Sequence, residues 1–329
     1  VFLALAAQSW QQSVATDLML FKETRSLMST SVEIQILTSS SEKASNAFNS
    51  AFREIERLED LLSRYKSTSQ IAQIARQAGI APVTVEQDLL TVLKEAMTIA
   101  RLSHGAFDIT CPPLLQVWQQ KTAEQVPTDQ ELEQARTLVD YRTIQCDTIA
   151  QTVFLPVKGM SLDLGGIAKG YAVDRAVAVL RKQGIGSGIV NAGGDLFAFG
   201  LKGHTPWTTA LRHPRIKDQT IATFSIQDEA VVTSGDYERF ITIKGKRYAH
   251  IIDPRTGYPV ENMMSVTVFA PSTMRADALA TAVFVLGPEQ GLALINSLDN
   301  TEAMIIDEQG RFFRSRGISI PQVPPTSNR

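Results

Sequence analysis

Eight short alternating runs crowd the stretch from Ser187 to Ala270: SGIVNA, DLFAFG, WTTALR, TIATFSI, AVVTS, RFITI, RYAHII and SVTVFA. Turn residues separate them, and no helix-length periodic segment lies between consecutive runs. Parallel βαβ units therefore have no crossover to use, whereas hairpin-linked antiparallel strands need none. The segment KGKR at Lys244–Arg247 fits this pattern as a hairpin tip, its glycine lying between FITI and RYAHII, rather than as a basic ligand patch. The chain is expected to be α+β, a mostly antiparallel or mixed sheet with helices packed on one face.

The helical segments sit mostly outside this block. Residues 39–63 carry Ala44, Ala47, Phe48, Ala51, Ile55, Leu58 and Leu62 at helical spacing, and Ser39 with Glu42 reads as a capping box. A shorter helix is expected from about Ser69 to Gly79. Leu89, Leu93, Ala96, Met97 and Ala100 mark another, stopped by Gly105. Thr128 and Glu131 form a further capping box on a helix reaching about Val139. From Arg142, TIQCD, TVFLPV and MSLDL read as strands, and a helix of small and apolar residues runs from about Ile167 to Gln183, ending at Gly184. After the block come a helix carrying DALATAVFVLG, another starting after Pro288, and a strand pair near Ala303–Ile306 and Phe312–Phe313.

Composition narrows the function classes. A chain of 329 residues with 44% apolar content can bury a large core, and it is read as one domain over residues 17–318. The net charge of −2 and the lack of a long basic run disfavour nucleic-acid binding. Cys111 and Cys146 match no CxxC pattern; two buried or partly buried thiols are favoured over one disulfide. The apolar start VFLALAA, within residues 1–16, reads as the end of a signal peptide with Ala4-Leu5-Ala6 as its cleavage site, or as a frayed terminus. Export to the periplasm or another extracytoplasmic compartment is the expectation. No later segment is expected to reach the length of a membrane helix. The Pro-rich tail over residues 319–329 is expected to be disordered.

Several segments carry candidate chemistry. Asp277 and Thr281 lie four residues apart in DALATA, which sets both oxygens on one side of a helix, among Ala276, Ala278, Ala280 and Ala282. Either residue alone is explained by a first-turn carboxylate or a back-bonded hydroxyl. Together they point to an oxygen-ligated cation of the Mg2+ type and to phosphate chemistry. In MSLDLGGIAKGYAVD, Asp163 ends a strand, Gly165-Gly166 makes the turn and Lys169 falls in the first helical turn. Such a turn admits an anion, yet taken alone this one reads as a tight turn with Lys169 solvated. The glycines of VNAGGD serve equally well a hairpin or a ligand's approach. In GAFDIT, Phe107 and Asp108 pair an aromatic with a carboxylate, which suits a base or simply core plus cap. His250 follows the alternation of RYAHIID on a strand ending at Asp253-Pro254, with Asp253, Arg255 and Thr256 clustered in the next turn.

Taken together, GAFD, DLGGIAKGYAVD, NAGGD, TSGDYERF, HIIDPRTGYP and DALATA, in this order, resemble the ApbE-type flavin transferases (FAD:protein FMN transferases) from about Thr24 to Phe313. The resemblance implies an α+β architecture with affinities to the T-fold. It also implies cleavage of FAD between its phosphates, with FMN attached through a phosphoester to Ser or Thr of a target redox protein. Carried over by motif, it implies FAD contacts from Met28, Tyr65, Ala106, Phe107, Asp108, Asp163, Lys169 and Ile251. It implies Mg2+ ligation by Asp277, Thr281 and the carbonyl of Gly166, and a catalytic part for His250. Position 169 is Lys where some members carry Glu. The alternatives that share this cleft are an Mg-dependent FAD pyrophosphatase giving FMN and AMP, and an FAD-binding protein without turnover.

Overall fold

The computed structural model describes residues 18–121, 125–216, 219–237 and 240–318. The segment VFLALAA, the tail from residue 319 and two residues of the YERF run, 238 and 239, lie outside the described residues. The chain opens with strands β1 (Met19–Leu27) and β2 (Thr30–Thr38), then helices α1 (Ser41–Leu62) and α2 (Gln70–Gln77). Strand β3 (Val83–Thr84), helices α3 (Gln87–Leu102), α4 (Pro112–Gln119) and α5 (Asp129–Arg136), and strands β4 (Gln145–Asp147) and β5 (Thr152–Phe154) follow. Helix α6 (Ala168–Lys182) leads into β6 (Gly188–Ala192), β7 (Asp195–Phe199), β8 (Trp207–Arg212), β9 (Thr220–Ile226) and β10 (Glu229–Gly235). The hairpin β11 (Phe240–Ile243) and β12 (Lys246–Ala249), strand β13 (Met263–Ala270), helix α7 (Thr273–Ile295), and strands β14 (Glu302–Asp307) and β15 (Phe312–Arg314) complete the fold.

Among the described residues the main sheet has eight strands in the order β1-β2-β6-β7-β10-β13-β14-β15, every neighbouring pair antiparallel. The α+β expectation is met. Its central strands are covered on both faces, and period-two alternation sorts their side chains. In β10, Ala230 and Val232 join the helix-side core with Ile34, Ile36, Val266 and Val268, while Val231 joins Phe269 and Trp207 on the other side. The β8–β9 ribbon supplies much of that second layer through Trp207, Leu211, Ala222 and Ile226.

The predicted face of α1 is the buried one: Ala44, Ala47, Phe48, Ala51, Ile55, Leu58 and Leu62 all lie in the core. Its cap differs. Ser40, not Ser39, accepts the Lys43 N–H at 3.2 Å, so Glu42 falls one position short of a capping-box residue. The Thr128–Glu131 capping box forms in full, and the regular helix stops at Arg136 before Val139. The segment MSLDL forms no strand; the Asp163 amide instead bonds the Ile109 carbonyl at 2.8 Å. Strands β1, β2 and β3 and helix α4 are additions to the expected elements. Pro112 and Pro113 occupy the first helical turn of α4, where a missing N–H costs nothing.

Helix α7 also departs from expectation, because its 23 residues are long and apolar enough, by length and composition, to cross a membrane. Its side chains are spent elsewhere. It packs on β10, β13, α6 and α3, and Gly287 (φ 77°, ψ −179°) breaks it just before Pro288 into the two helices the sequence predicts.

The crossing of α6 and α7 holds the fold and the cleft in one relation. A Cβ placed on Gly170 would fall 2.3 Å from the Thr273 carbonyl oxygen, so the two backbones touch where a side chain would stand. Four residues on, Asp174 accepts hydrogen bonds from the Thr273 amide (2.8 Å), the Met274 amide (3.0 Å) and Ser272 Oγ (2.8 Å). A carboxylate from α6 thereby caps the N-terminus of α7 and faces its dipole. Gly170→Ala tests this crossing. In an exposed helix that change stabilises by about 1 kcal/mol; here overpacking is expected to reverse the sign and cost about 1–3 kcal/mol. The urea midpoint is the measurement, and an unchanged or higher midpoint would refute the close approach.

Candidate active site

One cleft of about 660 Å3 is lined by all twelve residues singled out above: Met28, Tyr65, Ala106, Phe107, Asp108, Asp163, Gly166, Lys169, His250, Ile251, Asp277 and Thr281. They come from segments spread over more than 250 positions, so the fold assembles the site. The volume lies within the roughly 300–1,000 Å3 typical of ligand pockets.

At the cleft edge, Met28 and Ser29 form the β1–β2 turn with φ of 51° and 58°, left-handed values normally taken by Asn or Gly. Glu59 of α1 fixes this turn by accepting the Met28 amide at 2.7 Å. The opposite hairpin tip, Gly193-Gly194, lies against it: a Cβ on Gly193 would come within 2.3 Å of Thr30 Oγ1. The NAGGD glycines therefore serve the hairpin, and Gly193 also lines the cleft.

Tyr65 and Phe107 differ in what they offer. Tyr65 is 72% exposed, with the Arg64 guanidinium 4.6 Å from its ring centroid, while Phe107 is 5% exposed and belongs to the core. Stacking surface for a flat ring therefore comes from Tyr65. Arg64 belongs to none of the sequence motifs. It donates to Tyr65 Oη at 2.9 Å and pairs with Asp163 at 3.1 Å, linking two candidate flavin contacts. Asp163 also accepts the Gly165 amide at 2.8 Å, which shapes the turn ahead of α6. Asp108 accepts from Thr110 Oγ1 (2.6 Å), the Thr110 amide (2.8 Å) and the Tyr141 amide (3.0 Å). Burial raises its carboxyl above the usual range and these donors pull against it. Both cysteines are free thiols; Cys111 lines the cleft, where burial and the carboxylates of Asp163 and Asp108 push its thiol up.

His250 stands just past the end of β12 at Ala249, not within a strand running to Asp253. The strand stops because the chain turns: Ile251 accepts the Val260 amide, Ile252 bridges Pro259, and Asp253 accepts the Gly257 amide at 2.8 Å. Asp253 is tied to Arg255 at 2.9 Å. Trp118 of α4 pins the loop from below, donating its indole N–H to the Gly257 carbonyl at 2.8 Å.

The deepest part of the cleft is acidic and crowded. Asp277 and Thr281 share one face of α7, and a Cβ on Gly166 would fall 3.0 Å from Thr281 Oγ1. The Gly170 amide donates to Asp277 at 3.1 Å. Lys169 is not solvated: its Nζ lies 2.6 Å from Asp195 and 3.6 Å from Asp277. Asp195, read from sequence as a strand start, is thus part of the site; its place at the foot of NAGGD was the available signal. Burial, then the negative Asp195 beside it, holds the Asp277 carboxyl well above the usual range, with Lys169 and the Gly170 amide opposing. Among the described residues no trio of His, Cys, Asp or Glu is arranged to hold a metal. A cation here therefore draws on carboxylate, hydroxyl and carbonyl oxygens, the donor set of a hard ion such as Mg2+. Two buried carboxyl groups, Asp195 and Asp277, beside that set fit it.

The chain is also similar to known proteins over most of its length. Residues 28–305 match the ApbE family. An FAD:protein FMN transferase of Treponema pallidum is 37% identical over 291 residues, covering 83% of this chain and 80% of that protein. Another, from Vibrio cholerae, is 34% identical over 268 residues, covering 79% of each. Among solved structures, the ApbE protein of Thermotoga maritima matches with a TM-score of 0.83 at 32% identity, over 91% of this chain and 97% of that one. The flavin transferase ApbE of V. cholerae matches with a TM-score of 0.80 at 30% identity, over the same shares.

The buried acid carries a testable consequence. Because the fold holds the Asp277 proton more tightly than the unfolded chain, its stabilising effect is complete below about pH 4 and is lost as pH rises through the raised folded value. Asp277→Asn is expected to flatten that fall and to melt higher than the parent at pH 8 in EDTA. Mg2+ is expected to raise the melting temperature of the parent and not of the variant. Thermal melts at pH 5 and pH 8, with EDTA or Mg2+, measure both; a variant melting lower in EDTA at pH 8 contradicts the assignment.

Proposed function

The chain belongs to the ApbE family, and from that premise we propose that it is an FAD:protein FMN transferase that cleaves the FAD diphosphate, attaches FMN to a Ser or Thr of a target protein and releases AMP. The observation that carries this reading is the convergence of every motif-derived residue on one cleft, with a hard-oxygen donor set beside the aromatic and glycine-lined part. On this reading the acceptor is an exported or membrane redox subunit, met on the extracytoplasmic side.

The residues divide the work by chemistry. Tyr65 presents an exposed ring for stacking, and Met28, Ala106 and Ile251 add apolar wall. Arg64 and the Gly165 amide keep Asp163 oriented at the cleft surface. Asp277, Thr281 and the Gly166 carbonyl are the residues that would hold Mg2+. When bound there, the ion offsets the diphosphate charge that otherwise repels a nucleophile. The acceptor oxygen forms a bond to the FMN phosphorus as the bond to the bridging oxygen breaks, and AMP takes that oxygen away. His250, at the cleft wall, takes the proton released from the acceptor hydroxyl.

Incubation with FAD, Mg2+ and a Ser/Thr-bearing candidate acceptor, followed by mass spectrometry, tests the reaction. The acceptor is expected to gain one FMN and AMP to appear in equal amount. FMN and AMP forming at the same rate without acceptor would overturn transfer in favour of hydrolysis. His250→Ala is expected to slow transfer by roughly 100- to 10,000-fold, the range of general-base catalysis. FAD affinity, followed by flavin fluorescence, is expected to stay within a few-fold of the parent; full transfer activity in this variant removes the proton-acceptor role.

A further inference from the structure

Lys169 sets one cation between two buried acids. It sits in the first turn of α6, and its ammonium is shared between Asp195 at the start of β7 and Asp277 in the second turn of α7. Both carboxylate side chains are 3% exposed, the lysine 26%. Once both acids are ionised, these two carboxylates and the one ammonium together carry one net negative charge. Without the lysine the two carboxylates would face each other uncompensated, an arrangement burial penalises heavily.

Resting on the metal site proposed above, we infer that Lys169 is the resident counter-cation of that site and couples metal binding to binding of the substrate diphosphate. A divalent ion at Asp277 turns the net charge of the cluster positive, with the ion and the ammonium sharing one buried carboxylate. Like charges so close in a poorly screened pocket repel strongly. The diphosphate of FAD brings two negative charges to the same place, restores the original balance, and gives the ammonium a further anion to face. Metal and FAD therefore strengthen each other's binding, and the reinforcement is reciprocal. Between turnovers the ammonium offsets part of the charge of the two acids beside the crossing of α6 and α7, where Asp277 is held by the Gly170 amide one residue from Lys169.

Two measurements on the intact protein test this. Mn2+ binding without nucleotide, followed by the electron paramagnetic resonance of the free ion, compares the parent with Lys169→Gln, Lys169→Arg and Asp277→Asn. FAD affinity, followed by flavin fluorescence, is measured with EDTA and with saturating Mg2+. Lys169→Gln is expected to bind Mn2+ alone about tenfold more tightly than the parent, on the scale of ordinary coupling between sites, while Lys169→Arg, keeping the charge, resembles the parent. Mg2+ is expected to strengthen FAD binding about tenfold or more in the parent, and much less in Lys169→Gln. Equal Mn2+ affinity in Lys169→Gln and the parent overturns the inference. So does a parent whose FAD affinity ignores Mg2+, a result that stands even if the Gln variant fails to fold. Asp277→Asn separates the two claims: if it binds Mn2+ like the parent, the metal assignment itself fails, whatever Lys169 does.

Discussion

The contact between α6 and α7 at Gly170 is the constraint on which the rest depends. It brings a backbone amide within 3.1 Å of a buried carboxylate and lets Asp174 cap the neighbouring helix. Position and charge are set together: the glycine that permits the approach precedes, by only a few residues, the acid that locks it, and follows the lysine whose ammonium lies between Asp195 and Asp277. The sheet supplies the remaining partner, because β7 begins with Asp195 directly beneath. Any side chain at position 170 therefore disturbs packing, capping and the acidic cluster at once, which is the behaviour expected of contacts that are not additive.

The acidic cluster also shows where stability gives way to chemistry. Buried carboxylates next to each other are a poor way to hold a fold, and a hydrophobic replacement at such places is often neutral or better. The surrounding structure carries the expense. Val266, Val268, Leu279 and Val283 pack the region with fully buried apolar surface, and the alanines flanking Asp277, Ala276, Ala278, Ala280 and Ala282, are buried in that same core rather than open to the cleft. Local rules are broken where the ligand is expected and obeyed elsewhere, the pattern of a sequence whose exceptions are functional.

Much of the architecture was legible from residues 187–270, because two-residue periodicity is a local property and hairpin tips such as Lys244-Gly245 carry their own turn chemistry. The apolar face of α1 was legible for the same reason. Less local features were not. The cap moved from Ser39 to Ser40 because three consecutive serines, Ser39 to Ser41, offer equal side chains and packing selects among them. MSLDL has strand-like composition, but its backbone partner is Ile109 rather than a neighbouring strand. Motif resemblance pointed to the twelve cleft residues and passed over Arg64 and Asp195, whose importance lies in what they touch. Lys169 shows the limit most clearly. A lysine in a glycine turn looks solvated until the fold sets two acids around it.

The turn at Met28-Ser29 has an evolutionary reading. Two non-glycine residues with positive φ each cost of order 1 kcal/mol relative to the Asn-Gly pair such a hairpin prefers. Drift towards Asn-Gly would therefore be rewarded by stability alone, and selection for a stable fold pushes against the methionine at the cleft edge. A lineage that keeps its side chain there keeps it against a standing gradient. Relaxed selection on ligand binding is then expected to leave its first mark at this hairpin, ahead of any change in the packed interior.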